Sequence, residues 1–125
     1  MNNKLKFISV AFALSMGLTT VLMKPSFADS TADLLFIFQC GEYEIEIWQS
    51  RFFNTYLYRS QSPKGNLSLD DGLVQNQEGI AVYKFINGNY QYVVWGATLD
   101  DPNTGVLEVY HRNRQILQRT CQKKL

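Results

Sequence analysis

The sequence predicts a small all-β domain: an antiparallel meander of about seven to eight short strands, closed as a barrel or folded as a sandwich. Three observations predict it. Apolar residues alternate with period two in several segments, as in Tyr43-Glu44-Ile45-Glu46-Ile47-Trp48. Turn-forming clusters punctuate those segments at fairly even spacing, and no segment after the N-terminal run keeps a helical period. The two cysteines, Cys40 and Cys121, bracket the strand-rich region as a disulfide would.

The chain begins with an address. Lys4 and Lys6 precede an uncharged apolar run from Phe7 to Met23, and Ser26-Phe27-Ala28 sets small residues at the −3 and −1 positions of a cleavage site. This is the layout of a secretory signal peptide over residues 1–28, cut after Ala28. The competing reading is a retained anchor, for which the run is at the lower limit of length. Cleavage leaves one domain, 29–125, with no further apolar run long enough to span a membrane. Nine of the twelve basic residues and all eleven acids then remain, a net charge of −2. A slightly acidic domain without a basic stripe is a poor partner for nucleic acid. The expected location is periplasmic or extracellular.

A domain this small buries roughly 60–65% of its surface and gains from a covalent staple. In an oxidising compartment Cys40 and Cys121 are expected to form it, closing a loop of about 80 residues. The alternatives are free thiols or a metal pair, and His111, the sole histidine, completes only a weak ligand set. No metal or cofactor is expected.

The first apolar segment, Leu34-Leu35-Phe36-Ile37-Phe38-Gln39-Cys40, reads as a buried strand. Gly41 separates it from Tyr43–Trp48, either as a bulge or as a bend in one long strand. In that second segment Tyr43, Ile45 and Ile47 take one face and Glu42, Glu44 and Glu46 the other. A helix there would set Glu42 against Glu46 as a repulsive pair. Thr55–Ser60 follows, then a short run around Leu67 and Leu69. A single helical turn near Leu69–Val74 is the one helical expectation, and Asp70-Asp71-Gly72 reads as a turn.

Ile80–Ile86 and Asn89–Trp95 flank Asn87-Gly88, which predicts a two-residue hairpin. With Asn87 and Gly88 at the tip, Phe85 faces Tyr90, Tyr83 faces Tyr92 and Ala81 faces Val94. That uncharged side is the expected core face. The other side pairs Ile86 with Asn89, Lys84 with Gln91, Val82 with Val93 and Ile80 with Trp95. A last hairpin joins Gly105–His111 to Gln115–Cys121. A tip at Asn113-Arg114 places Glu108 opposite Arg119, Tyr110 opposite Leu117 and Val106 opposite Cys121.

Catalytic chemistry is thin. A lone histidine, His111, on a strand end reads as a surface or cap residue. No Gly-x-Ser-x-Gly elbow surrounds a serine. Asp70-Asp71 and Asp100-Asp101 are adjacent acids leading into Gly or Pro turns, not separated catalytic carboxylates. Asp100, Asp101, Asn103 and Gly105 lack the spacing and closing Glu of a calcium loop. Asn66-Leu67-Ser68 matches a glycosylation sequon. The expectation is therefore a binding domain, not an enzyme. A hydrolase using Asp100, Asp101 or His111 is the weaker alternative.

The candidate ligand-binding residues are Trp48, Arg51, Phe52 and Phe53. If Ile45 and Ile47 point inward, Trp48 points outward, and the following loop carries Arg51, Phe52 and Phe53. An exposed Trp beside them would seat a protein or stack on a cell-envelope glycan. The competing reading has Trp48 closing the end of the barrel. The loops at Ser62–Asn66 and Asp100–Thr104 are the other candidate recognition sites. The oligomeric state has no signature in the sequence.

A signal peptide, Phe38-Gln39-Cys40 ahead of Tyr43–Trp48, and Gly105–Tyr110 with Gln115–Cys121 at the end resemble a type of small exported bacterial β domain with no assigned activity. The same outline is similar to the periplasmic C-type lysozyme inhibitor family. That resemblance implies an eight-stranded, disulfide-stapled antiparallel barrel that inserts loop residues into a lysozyme cleft. The family's Ser-Gly-x-x-Tyr loop has no counterpart, since Ser62-Pro63-Lys64-Gly65-Asn66 orders its residues differently. Trp95 is followed by Gly96-Ala97 and not by a Lys-Gly loop. No inhibitory residue carries over.

Overall fold

The computed structural model describes residues 31–125. The expected signal segment and its cleavage after Ala28 lie outside them. Eight antiparallel strands are present among the described residues: β1 (Ala32–Cys40), β2 (Tyr43–Ser50), β3 (Tyr56–Ser62), β4 (Gly65–Gln77), β5 (Ile80–Asn87), β6 (Tyr90–Trp95), β7 (Thr104–His111) and β8 (Arg114–Lys123). Each pairs with the next, and β8 pairs back with β1, so the sheet closes as a barrel. No helix of the described residues is long and apolar enough to cross a membrane.

Alternation turns one row of each strand into the barrel. Ile45 and Ile47 are fully buried, and so are Phe38, Phe85, Val94 and, nearly, Tyr58 and Leu107. These side chains form one cluster filling the barrel, as eight strands allow. Aromatic rings make up much of it. The Tyr58 ring lies 5.5 Å from Phe85 and 5.5 Å from Tyr92, at inclined angles that suit the ring quadrupoles. Cys40 and Cys121 face each other across the β1–β8 seam and are joined, with an S–S distance of 2.03 Å and no exposure to solvent. The expected staple is thus present, and it joins the first and last strands.

Several local expectations are corrected. Gly41 is neither a bulge nor a bend in one strand. With φ +61° it opens a two-residue turn, and Cys40 pairs with Tyr43 as β1 folds back on β2. Asp70-Asp71-Gly72 is not a turn, and no helical turn follows Leu69. β4 runs through it as one strand. Tyr56 pairs with Gly72 and Tyr58 with Leu69, so two β4 residues, Asp70 and Asp71, oppose the single Leu57. This is a β-bulge, and Asp71 adopts φ +59° within it. Turn residues tolerate such a backbone whether the strand reverses or merely kinks.

The Asn87-Gly88 hairpin forms with its register moved by two. Asn87 pairs with Tyr90, leaving Gly88 and Asn89 at the tip. Gly88 has φ +64° while Asn89 stays at negative φ, the sign pattern of a type II′ turn with Gly at its first central position. Phe85 therefore faces Tyr92, and Tyr83 faces Val94. A shift of two preserves the face, so the expected core side is still the inner one. In the last hairpin the tip is Arg112-Asn113, both at positive φ, and Ile116 is an extra residue between the Val109–Leu117 and Tyr110–Gln115 pairs. Glu108 consequently opposes Gln118, Gly105 opposes Cys121, and Arg119 opposes Leu107. The expected Glu108–Arg119 pair does not form, because a shift of one moves Arg119 to the inner row. Arg119 instead passes over Gly41 and sits 3.6 Å from Glu42.

Candidate functional site

Antiparallel alternation brings four turns to one end of the barrel: Gly41-Glu42, Pro63-Lys64, Gly88-Asn89 and Arg112-Asn113. A cavity of about 340 Å³ opens there. Its inner surface is Leu67, Leu107, Val109 and Leu117, all part of or packed on the barrel core. Tyr43, Tyr58, Tyr90 and Tyr92 also line it, and Ser60, Ser62 and Lys64 add polar groups. The strand period explains the set. Tyr58, Ser60 and Ser62 are successive inner positions of β3, and Tyr90 and Tyr92 are inner positions of β6. Aromatic side chains that end in a hydroxyl suit a place where apolar filling meets water.

The hydroxyls are ordered by burial. Tyr58 is 1% exposed, and a side-chain hydrogen bond joins its phenol to the buried Ser60. Burial pushes the Tyr58 phenol well above its ordinary range, against the opposing effect of Ser60. Burial also raises Tyr92, with a smaller contribution from Tyr90 and Tyr43. These phenols are therefore neutral at physiological pH and act as hydrogen-bonding groups. Tyr90 stacks on His111 at the rim, with ring centroids 4.3 Å apart and planes inclined by 19°. Lys64 is the cation of the lining, and no carboxylate is among the lining residues.

The sequence-predicted site lies at the other end, where the β2–β3 loop leaves the barrel. Phe52 and Phe53 are exposed there, at 69% and 73%. Arg51 donates to Asp33 Oδ1 from Nη2 at 2.6 Å and from Nε at 2.9 Å. That pair holds the Asp33 carboxyl below its usual range. Trp48 does not join them as an exposed ring. It stands on the outward row but is 7% exposed, between its cross-strand neighbours Leu34 and Leu57. Its Nε1 donates to Glu46 Oε1 at 3.0 Å. The extra residue of β1, Leu35, lies between the Leu34–Trp48 and Phe36–Ile47 pairs. Alternation predicted the direction of Trp48 but not its cover.

The acids and histidine weighed for catalysis do not converge. Asp101 accepts from the Asn103 N–H and the Thr104 hydroxyl, both at 2.8 Å, and these bonds lower its carboxyl. It organises the β6–β7 loop, at the end opposite His111. Asp70 pairs with Arg59 at 3.2 Å on the bulge. Among the described residues no three His, Cys, Asp or Glu side chains are placed to hold a metal.

The tyrosine-lined mouth was missed from sequence, where Tyr90 and Tyr92 read only as part of the hairpin's uncharged core face. Its signal is the row of Tyr and Ser at alternate positions of β3, Tyr56-Leu57-Tyr58-Arg59-Ser60-Gln61-Ser62. A row that turns from aromatic to hydroxyl marks a strand leaving the core. Set against known families, curated proteins and solved structures, the chain shows no significant match to any of them.

Proposed function

We propose that the chain is an exported, non-catalytic binding domain whose barrel mouth takes a polyhydroxylated cell-envelope ligand, a glycan fragment. The observation that carries the reading is the 340 Å³ mouth, with its apolar floor, tyrosine walls and serine hydroxyls. The volume falls in the range of small-ligand pockets, and the mouths of β-barrels are a common place for them. Sugars offer C–H faces to aromatic rings and hydroxyls to neutral donors and acceptors, which is what this lining supplies. Lys64 adds a site for an acidic substituent. The absence of carboxylate and imidazole from the lining supports binding over hydrolysis. The buried disulfide supports residence in an oxidising compartment.

Titration with soluble peptidoglycan fragments and neutral oligosaccharides, followed by amide chemical shifts, tests the reading. The expected result is saturable shifts on β3 and β6 around Ser60 and Tyr92, lost in Tyr92→Ala. Absence of shifts at the mouth with every fragment overturns it.

A second reading has its own observation. Phe52 and Phe53 are exposed side by side on one loop, and adjacent apolar residues on a rigid scaffold suit a protein cleft. The partner would be a secreted hydrolase such as a lysozyme. Excess protein in a lysozyme lysis assay slows lysis on this reading, and an unchanged rate dismisses it.

A further inference from the structure

The outer wall of the barrel carries a second cavity, separate from the mouth. Ile80, Val82 and Val93 are buried there although they point away from the interior, and Trp95, Ala97 and Tyr110 pack against them. Beside this cluster, a groove of about 270 Å³ runs over β5–β8 beneath the β6–β7 loop. Its apolar lining includes Ile80, Trp95, Ala97, Leu99 and Val106. Leu99 is 72% exposed and edges it from the loop.

Two carboxylates line the groove, Glu78 and Glu108, with no lysine or arginine among the lining residues. Glu108 is held in place. Trp95 Nε1 donates to its Oε1 at 3.3 Å, and the Tyr110 hydroxyl donates to the same oxygen at 3.1 Å. Both donors share one oxygen, which leaves Oε2 for a ligand. Neither Glu78 nor Glu108 forms an ion pair with a side chain of the described residues. Lys84, on the same row across the sheet, is two strands from Glu108 with Val93 between them, and it lines a different depression; Arg119, beside Glu108's partner Gln118, takes the inner row and sits by Glu42. The Trp95 N–H edge is committed to Glu108, and the Trp95 side chain lines the groove.

An indole wall, aliphatic sides and a fixed carboxylate are complementary to a compact organic cation. An aromatic face attracts such a charge through its quadrupole, most strongly where water is excluded. We infer that the groove formed by Trp95, Glu108, Glu78 and Leu99 binds a small quaternary ammonium compound. An inorganic cation would gain nothing from the apolar sides. A primary ammonium would lose more hydration on entry than a methylated one.

The test titrates the protein with choline and, separately, with 3,3-dimethylbutan-1-ol, its uncharged isostere, while following the two indole N–H resonances. Trp95 reports the groove, and the buried Trp48 serves as an internal reference. The expected result is a saturable shift of the Trp95 resonance with choline alone, with Trp48 unmoved and the isostere at least about tenfold weaker. Glu108→Gln keeps an acceptor for Trp95 and Tyr110 but removes the charge. It is expected to weaken choline about tenfold while the amide spectrum elsewhere is retained. No saturable Trp95 shift, equal binding of the isostere, or unchanged choline binding in Glu108→Gln each overturns the inference. Because the mouth lies elsewhere, glycan binding there is unaffected by any of these outcomes.

Discussion

Removing the disulfide by the double change Cys40→Ala, Cys121→Ala tests how this barrel stays closed. Seven of its eight seams are ladders between neighbours in sequence. The eighth, β1–β8, holds only the pairs Phe38–Lys123, Gln39–Gln122 and Cys40–Cys121. Backbone bonds from Ile37 to Leu125 and from Lys124 to Ile37 extend it slightly. The cysteines stand 81 residues apart in sequence. In the chain-entropy model, cross-linking a loop of that length removes about 4.5 kcal/mol of unfolded-state freedom. Both sulfurs are buried in the core, so alanine also sacrifices packing. Against a typical domain stability of roughly 5–15 kcal/mol, the variant should be marginal. Urea unfolding followed by circular dichroism measures this, with a fall in free energy of about 4–5 kcal/mol expected. Amide exchange should rise first at Ile37 and Lys124, whose N–H groups bond across the weakened seam. A loss below about 1 kcal/mol, with exchange at the seam unchanged, would refute the idea that the bond closes the barrel.

Other substitutions probe local structure. Gly72→Ala would set a Cβ 2.1 Å from Phe85 Cε2, and the ring is fully buried, so a loss of about 2–3 kcal/mol is expected in the same urea assay. Arg112→Gly relieves a left-handed backbone, φ +52°, at an exposed hairpin tip, and should raise stability by up to about 1 kcal/mol. Tyr58 makes stability pH-dependent. Its phenol is raised by burial, so the folded chain keeps a proton that the unfolded chain releases near pH 10. Its contribution is fully present below that pH and declines above it, by up to about 1.4 kcal/mol per pH unit. Tyr58→Phe should flatten that alkaline decline, which urea unfolding across pH 9–11 measures.

Some of this architecture was legible residue by residue. Alternation alone sets Tyr43-Ile45-Ile47 on one face and Ala81-Tyr83-Phe85 on another, and both rows lie in or against the core. Period two is a property of the strand backbone, so a face can be read without knowing the partner. Register was harder. Asn87-Gly88 marked a hairpin but not which residue would take the first positive-φ place. The extra residue Ile116 in β8 was invisible, because a bulge leaves no compositional mark. The mouth was only partly legible. Its tyrosines lie on β2, β3 and β6, and nothing local says that these strands approach around one opening.

By itself the sequence determined the all-strand character, the inner faces and the two cysteines available for a cross-link, because each follows from side-chain chemistry and backbone periodicity within a few residues. Only the tertiary structure decided barrel over sandwich, turned Asp70-Asp71-Gly72 into a bulge, covered Trp48 and assembled the tyrosine mouth and the Trp95–Glu108 groove. Those outcomes depend on which strands meet at closure. That is set by the summed packing of the whole core, not by any one segment.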